Sequence, residues 1–398
     1  MSSHLLIVGV STRAAAESAA RAGFDVTAID AFADLDQHPS VRARSLRGGF
    51  SADAAARAAR SVTCDAVAYL SNFENHPSAV SELARGRALW GNRPNVLRRV
   101  RDPIAVARAL AKRQLPTPAV YVEPVTRNPQ SLIPDREWLL KPLASGGGHR
   151  VRAWRAGTRI PRNSYLQELV EGTPGSVVFV AAGGRAVALG ITRQLIGDDA
   201  FGVSGYRYCG NILVAPEDHE LVDAACALAA AVTAEFDLVG INGIDFIARG
   251  RVPWPIEINP RWCASMELVE RAHGVSVFGA HAAACTAGTL PDFDLKSARR
   301  SASAVGKAVV FARRVVTVGD TRAWRPADLD DQHATIRDVP QPGQTIQAGR
   351  PVCTVFAEER DDAACRAALG RRAELVYADL AAWERNARPR VDPGSLGC

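Results

Sequence analysis

The most constraining feature of this sequence is a stretch from Asn242 to Trp262 in which two short apolar runs carry polar side chains. The first run contains Asp245, and the second contains Glu257 and Asn259 two residues apart. Alternation along a strand places Glu257 and Asn259 on one face. A turn after Gly250 would pair the runs as a hairpin, with Asp245 opposite Glu257. The stretch therefore predicts two carboxylates and one amide oxygen on a single sheet face.

Such a face implies a bound cation, because neighbouring carboxylates repel unless a positive charge lies between them. The three side chains are hard oxygen donors without sulfur or imidazole beside them, which favours Mg²⁺ or Mn²⁺ shared with phosphate oxygens. Arg261 follows directly, where a guanidinium can hold a phosphoryl group through two hydrogen bonds. From spacing alone, an amphipathic hairpin with a merely hydrated polar face is the alternative.

Composition limits the class of protein. The chain has 398 residues, of which 47% are hydrophobic and 23% charged, as in soluble proteins of two or three domains. No apolar run approaches the roughly 18 residues of a membrane span. Eight cysteines without a C-x-x-C pair predict free thiols and a cytoplasmic location. The net charge is +6, and the sequence has no basic run with interleaved aromatic residues. This pattern disfavours a nucleic acid as the binding partner and suits a small polyanionic molecule.

The N-terminal third reads as strand–helix–strand over residues 4–29, a parallel unit with one glycine at its first turn and no G-x-G-x-x-G. A further strand over residues 66–70 leads into a polar loop. Because ligands bind at the carboxyl ends of parallel strands, Glu74 and Asn75 are candidates for holding a substrate amine or carboxylate. The alternative is a solvated loop that caps a helix at Pro77.

The middle of the chain contains a glycine-rich turn between two predicted strands. Lys141 precedes it, and Gly146, Gly147 and Gly148 form it. Glycine amides can approach phosphate oxygens closely, and a lysine supplies a point charge. No G-K-[ST] follows, so this is not a Walker loop, and simple flexibility is the alternative.

A second polar segment follows, in which a predicted strand ends in Glu168 and Glu171. It can present backbone groups to an adenine edge and a carboxylate to an amino group or ribose, or it is a plain hairpin with a charged end. Residues 192–210 are polar and rich in glycine, which indicates an active-site loop.

Together these pieces resemble the ATP-grasp superfamily. The matching motifs, in order over residues 100–290, are Lys-Pro before a glycine-rich loop (141–148), Q-E-L-V-E-G (167–172), G-x-D-F (243–246) and E-I-N-P-R (257–261). The group of predicted carboligases related to biotin carboxylase is similar through G-V-S-T-R-A (9–14), S-N-F-E-N (71–75) and the C-terminal segment.

The resemblance implies an α/β fold of the α+β grasp type. It places a Rossmann-like domain at residues 1–97 and a two-lobed ATP-grasp domain at 98–295, with the small lobe at about 115–185. A small β-rich domain with a final helix takes residues 296–398.

The resemblance also implies a role for each matched residue, with ATP and Mg²⁺ (or Mn²⁺) as cofactors. The implied nucleotide-binding residues are Lys141, Gly146, Gly147, Gly148, Gln167, Glu168, Leu169, Val170 and Glu171. The implied metal ligands are Asp245, Glu257 and Asn259. The implied catalytic residues are Arg261 and Arg193. Many members carry a second nucleotide-binding lysine after an aspartate at a helix start, where this chain has Asp102-Pro103, and Lys112 lies two turns too late to replace it.

The implied activity is an ATP- and Mg²⁺-dependent ligase that joins a carboxylate to an amine through an acyl phosphate. Family association suggests glutamate or a similar amino acid and a setting in one-carbon cofactor synthesis of the methanopterin or methanofuran type. The expected partners are small-molecule acids and amines, without nucleic acid or membrane, and a homodimer is a candidate assembly. The alternatives are a carboxylase that activates bicarbonate and a non-catalytic nucleotide-binding protein.

Overall fold

A computed structural model describes residues 3–46, 49–122, 136–213, 219–299 and 303–387. The architecture is α/β, as the sequence predicts, and it has three main sheets. Within the described ranges, no helix is both long and apolar enough to cross a bilayer. None of the seven cysteines in those ranges forms a disulfide, as the sequence predicts for them.

The N-terminal domain is a five-stranded parallel sheet in the order β3-β2-β1-β4-β5. The strands are β1 (His4–Val8), β2 (Asp25–Asp30), β3 (Val41–Ser45), β4 (Ala66–Tyr69) and β5 (Ala88–Trp90). The helices are α1 (Arg13–Arg21), α2 (Ala52–Ala59) and α3 (Pro77–Leu83). The central strand β1 is apolar from Leu5 to Val8 because helices cover both faces of the sheet. The predicted strand–helix–strand start is confirmed.

Two short helices lead to a small antiparallel sheet. They are α4 (Pro94–Val100) and α5 (Pro103–Lys112), and the carboxylate of Asp102 caps α5 by accepting hydrogen bonds from two backbone N–H groups. The sheet contains β6 (Val120–Val122), β7 (Trp138–Pro142), β8 (Arg152–Ala153) and β9 (Ser164–Glu168), in the order β6-β9-β7-β8.

An eight-stranded sheet forms the body of the molecule, in the order β14-β13-β10-β11-β12-β15-β19-β17. Its first five strands along the chain are β10 (Thr173–Ala182), β11 (Arg185–Ile196), β12 (Tyr208–Leu213), β13 (Gly240–Arg249) and β14 (Val252–Asn259). The other three are β15 (Ala304–Phe311), β17 (Ile336–Arg337) and β19 (Pro351–Glu359). A separate pair is formed by β16 (Val316–Thr317) and β18 (Thr345–Ile346).

Helices cover this body and connect its strands. They are α6 (His219–Phe236), α7 (Met266–His273), α8 (Val277–Ala287), α9 (Leu295–Arg299) and α10 (Asp362–Ala387). The C-terminal strands β15, β19 and β17 continue the large sheet beyond β12 instead of forming a sheet of their own. The domain boundaries drawn from the sequence stay predictions.

Buried ion pairs join the N-terminal domain to the rest. The Arg13 guanidinium of α1 contacts the carboxylates of Glu267 at 2.7 Å and Asp338 at 2.6 Å, and its side chain is 1% exposed. Arg337 contacts Asp36 at 3.0 Å. A buried charge is costly without its partner, so these pairs favour one arrangement of α1, α7 and the C-terminal strands.

Candidate active site

A cleft of about 850 Å³ lies between the N-terminal domain, the small sheet and the large sheet. The cleft has the size of a small-molecule site. Each of the three units contributes charged side chains to its wall, among them Glu74, Lys141, Asp245, Glu257 and Arg261.

The hairpin of β13 and β14 supplies one wall. Asp245 pairs with Glu257 in the antiparallel register, with a bulge directly after Asp245. Asp245, Glu257 and Asn259 all line the cleft. The Asn259 amide donates to Asp245 Oδ2 at 3.0 Å. The predicted pairing and shared face are confirmed, while metal binding by these residues stays a prediction.

Burial makes this pair of carboxylates electrostatically unequal. Desolvation, and next the charge of Glu257, raises the pKa of Asp245 to about 7. Desolvation also acts on Glu257, but the charges of Arg101 and Lys141 outweigh it and hold the pKa of Glu257 below its usual value. A divalent cation between the two would favour ionisation of both.

The donor set fits Mg²⁺ or Mn²⁺ that is shared with a ligand. Two carboxylates and one amide are oxygen donors of the kind these ions prefer. In the described part of the chain, no group of three or more His, Cys, Asp or Glu side chains is arranged to hold a metal alone. Phosphate oxygens and water would complete the coordination.

Arg261 connects this hairpin to the N-terminal domain. Its Nη2 donates to Glu74 Oε1 at 2.7 Å and to Asn259 Oδ1 at 3.2 Å. Burial disfavours the charge, but Glu74 outweighs it, so the pKa of Arg261 lies above its usual value. Its Nε and the Oε2 atom of Glu74 are buried without a hydrogen-bond partner in the described structure. This cation remains charged and retains an unused donor at the cleft wall.

The small sheet supplies the opposite wall. Lys141 Nζ donates to Gln167 Oε1 at 2.9 Å and to the carbonyl of Ile256 at 3.3 Å. The register places Lys141 opposite Tyr165 and Leu139 opposite Gln167 across β7 and β9, and all four residues line the cleft.

The predicted adenine segment borders the same wall, since Glu168, Leu169 and Val170 line the cleft. The Glu168 carboxylate accepts a hydrogen bond from the backbone N–H of Ala119 at 3.0 Å and pairs with Arg136. Its carboxylate therefore fixes the strand end, while the backbone that follows borders the cavity.

The glycine-rich segment, residues 145–148, lines the cleft. The carbonyl of Gly147 accepts from the backbone N–H of Tyr208 at 3.2 Å. Gly148 has a φ of +70°, and a Cβ atom there would lie 1.9 Å from the Tyr206 carbonyl oxygen. Only glycine permits this close contact with the backbone of residues 206–208.

Three predicted residues do not line the cleft. Arg193 pairs with Asp362, because its neighbour Gln194 takes the cleft face and donates to Asp245 Oδ1 at 2.9 Å. The geometry therefore gives no support to a contact between Arg193 and a transferring phosphoryl group. Glu171 is exposed and is not part of the cleft wall. Asn75 instead donates to the Ser145 carbonyl at 3.4 Å.

The structure adds site residues that the motifs did not indicate. Arg101 lines the cleft and contacts Glu257 Oε1 at 2.5 Å. Lys307 of β15 also lines it and donates to Glu267 Oε2 at 2.6 Å. The sequence offered one signal for Arg101: it directly precedes Asp102, and the family's second lysine was expected directly after that aspartate. Lys307 had none, because its proximity depends on the C-terminal strands joining the large sheet.

Comparison with known proteins assigns the central region. Residues 100–265 match the family model of the ATP-grasp domain. None of the curated proteins matches this sequence significantly.

Three solved structures illustrate the similarity of fold. Pyruvate carboxylase of Rhizobium etli is 15% identical with a TM-score of 0.70, over 93% of this chain and 37% of that one. The biotin carboxylase domain of Hydrogenobacter thermophilus 2-oxoglutarate carboxylase, in complex with MgADP, ADP and bicarbonate, is 14% identical with a TM-score of 0.65, over 89% and 86%. L-amino acid ligase of Bacillus licheniformis is 15% identical with a TM-score of 0.65, over 94% and 97%. This chain thus spans just over a third of the pyruvate carboxylase and nearly all of the ligase.

Proposed function

We propose that this chain, a member of the ATP-grasp superfamily, is an ATP- and Mg²⁺-dependent ligase that activates a substrate carboxylate as an acyl phosphate and transfers the acyl group to an amine. The observation that carries the proposal is the convergence of Asp245, Glu257, Arg261 and Lys141 on one cleft. Oxygen ligands for a cation and two cationic side chains are the groups that phosphoryl transfer requires.

The cleft wall formed by the small sheet would bind the nucleotide. Lys141 would contact phosphate oxygens beneath the glycine-rich segment, and the backbone of Leu169 and Val170 would receive the adenine edge. The solved biotin carboxylase domain with MgADP supports this use of the fold. When bound, Mg²⁺ neutralises phosphate charge, and Asp245, Glu257 and the Asn259 amide oxygen would hold it.

The first chemical step is attack by a carboxylate oxygen of the substrate on the γ-phosphorus of ATP. The bond from that phosphorus to the bridging oxygen breaks, and ADP leaves with the electron pair. Arg261 is held by Glu74, and its Nε has no hydrogen-bond partner in the described structure. It would stabilise the charge on the transferring group.

In the second step the amine nitrogen attacks the acyl carbon, phosphate departs with the electron pair of the broken C–O bond, and the amine loses a proton. The chain's contribution is to orient both reactants and to exclude water from the acyl phosphate. The glycine-rich segment lines the cleft and would serve that exclusion by closing over bound substrates. Glutamate and the one-carbon cofactor setting stay predictions of the resemblance.

The test is ADP release with a panel of carboxylates and hydroxylamine as the trapping amine. We expect a hydroxamate with the true acid, and the loss of both products in Glu257→Gln with an unchanged circular dichroism spectrum. Release of ADP that depends on bicarbonate alone would instead indicate the carboxylase. Full activity in Glu257→Gln would contradict the metal assignment.

A further inference from the structure

Arg101 occupies a position that the proposed chemistry leaves unexplained. It follows the end of α4 and its side chain is 13% exposed. Its Nη1 contacts Glu257 Oε1 at 2.5 Å, and its Nη2 donates to the Ser145 carbonyl at 3.0 Å. One guanidinium therefore ties the hairpin to the first residue of the glycine-rich segment.

The N-terminal domain completes this connection. Arg101 Nε donates to Asn75 Oδ1 at 3.1 Å, and the Asn75 amide donates to the same Ser145 carbonyl at 3.4 Å. Arg101 and Asn75 thus hold the Ser145 carbonyl between them, and three separate parts of the chain meet at this point.

A divalent cation would change this arrangement, because it requires the same carboxylate. The Glu257 side chain is 24% exposed and lies opposite Asp245 in the hairpin. A cation bound there replaces Arg101 as the nearest positive charge to Glu257, and two positive charges at one carboxylate repel each other. Arg101 and the cation are therefore competitors for Glu257.

We propose that Arg101 is a latch that exchanges partners: it binds Glu257 and fastens the glycine-rich segment in the metal-free protein, and it moves onto nucleotide phosphate oxygens once a divalent cation occupies Glu257. The proposal rests on the proposed function for the metal site at Glu257 and for the identity of the nucleotide. A planar guanidinium beside the glycine-rich segment suits bidentate contact with phosphate. Binding of the metal–nucleotide complex would therefore release the glycine-rich segment from Arg101 and then hold it again through the nucleotide phosphates.

Competition predicts opposite changes in two affinities. Arg101→Gln removes the competitor for Glu257, so Mn²⁺ alone should bind about tenfold more tightly. The same change removes a phosphate contact, so Mg·ATP should bind about tenfold more weakly. A residue that only supports the fold would weaken both together.

The experiment measures free Mn²⁺ by electron paramagnetic resonance and Mg·ATP binding by calorimetry in the wild type, Arg101→Gln and Arg98→Gln. Arg98 is exposed on α4, three residues before Arg101, and Arg98→Gln makes the matched loss of charge. We expect opposite shifts in Arg101→Gln and changes below about twofold in the control. Parallel losses, or no change in either affinity, would overturn the proposal.

Two further measurements apply if Arg101→Gln does not fold. Arg101→Lys keeps the charge but cannot bridge the partners, and should give shifts of the same signs and smaller size. In the wild type, Mn²⁺ alone should speed hydrogen exchange at residues 145–148, and Mg·ATP should slow it. Unchanged exchange with Mn²⁺ would refute the latch. Failure of the wild type to bind ATP would refute the proposed function, while the Mn²⁺ measurements would still decide the latch.

Discussion

Adding one methyl group to each glycine of the glycine-rich segment separates three physical effects. At Gly146 a Cβ atom would have no neighbour within 4 Å, and the backbone is not in the left-handed conformation. Gly147 has equal space but a φ of +61°, and Gly148 combines a φ of +70° with a Cβ only 1.9 Å from the Tyr206 carbonyl oxygen. Gly146→Ala therefore introduces neither strain nor a clash, Gly147→Ala introduces backbone strain alone, and Gly148→Ala introduces both strain and a clash.

The expected magnitudes follow from these distances. A left-handed alanine costs about 1–2 kcal/mol, so Gly147→Ala should weaken ATP binding about 5- to 30-fold if the docked segment is the binding form. Cβ atoms essentially never come within 3.0 Å of such a neighbour, so in Gly148→Ala the segment must move by more than 1 Å. That shift breaks the contact with residues 206–208, and we expect a loss above about 50-fold.

The assay is calorimetric titration with Mg·ATP, with thermal unfolding as the control. Movement of the segment relieves the clash, so the unfolding temperature should fall by less than about 3 °C in all three variants. Gly146→Ala should bind as the wild type does. Equal affinities for Gly147→Ala and Gly148→Ala would refute the claim that docking on residues 206–208 shapes the nucleotide site.

Three further outcomes follow. Lys141→Ala should weaken ATP binding in calorimetry about tenfold or more and leave the thermal unfolding temperature nearly unchanged. An unaltered affinity for ATP would show that Lys141 does not contact the phosphates. Arg261→Gln should abolish hydroxamate formation whereas Arg193→Gln should keep it, because only Arg261 lines the cleft; equal losses would contradict this placement. Burial raises the pKa of Asp245 from 3.8 to about 7, so the metal-free protein should lose stability as pH rises from about 4 to 7. Asp245→Asn should flatten that loss in denaturant titrations, and an unchanged slope would show that folding does not raise the pKa of Asp245.

The sequence predicted those parts of the site that depend on local periodicity. Alternation along two adjacent strands was sufficient to place Glu257 and Asn259 on one face and Asp245 opposite Glu257. The Asp102 cap was likewise predictable, because its partners are the next backbone N–H groups along the chain.

What could not be predicted depends on contacts between distant segments. The resemblance gave Arg193 its catalytic role, and its segment was interpreted as a polar loop. Arg193 instead lies in β11, where strand alternation turns Gln194 to the cleft and Arg193 to Asp362. Arg101 and Lys307 reach the cleft only because α4 and β15 pack beside the hairpin and α7. The sequence marked Arg101 only by its position before the Asp102 cap, and no spacing pointed to Lys307.

The central claim is that a divalent cation joins the triphosphate of ATP to the hairpin of Asp245, Glu257 and Asn259. The most direct test is a crystal structure with Mn²⁺ and a non-hydrolysable ATP analogue, in which anomalous scattering locates the metal. We expect the anomalous peak about 2.0–2.3 Å from oxygen atoms of both carboxylates and of the analogue's phosphates. A peak elsewhere, with the carboxylates still facing Arg101 and Asn259, would contradict the account.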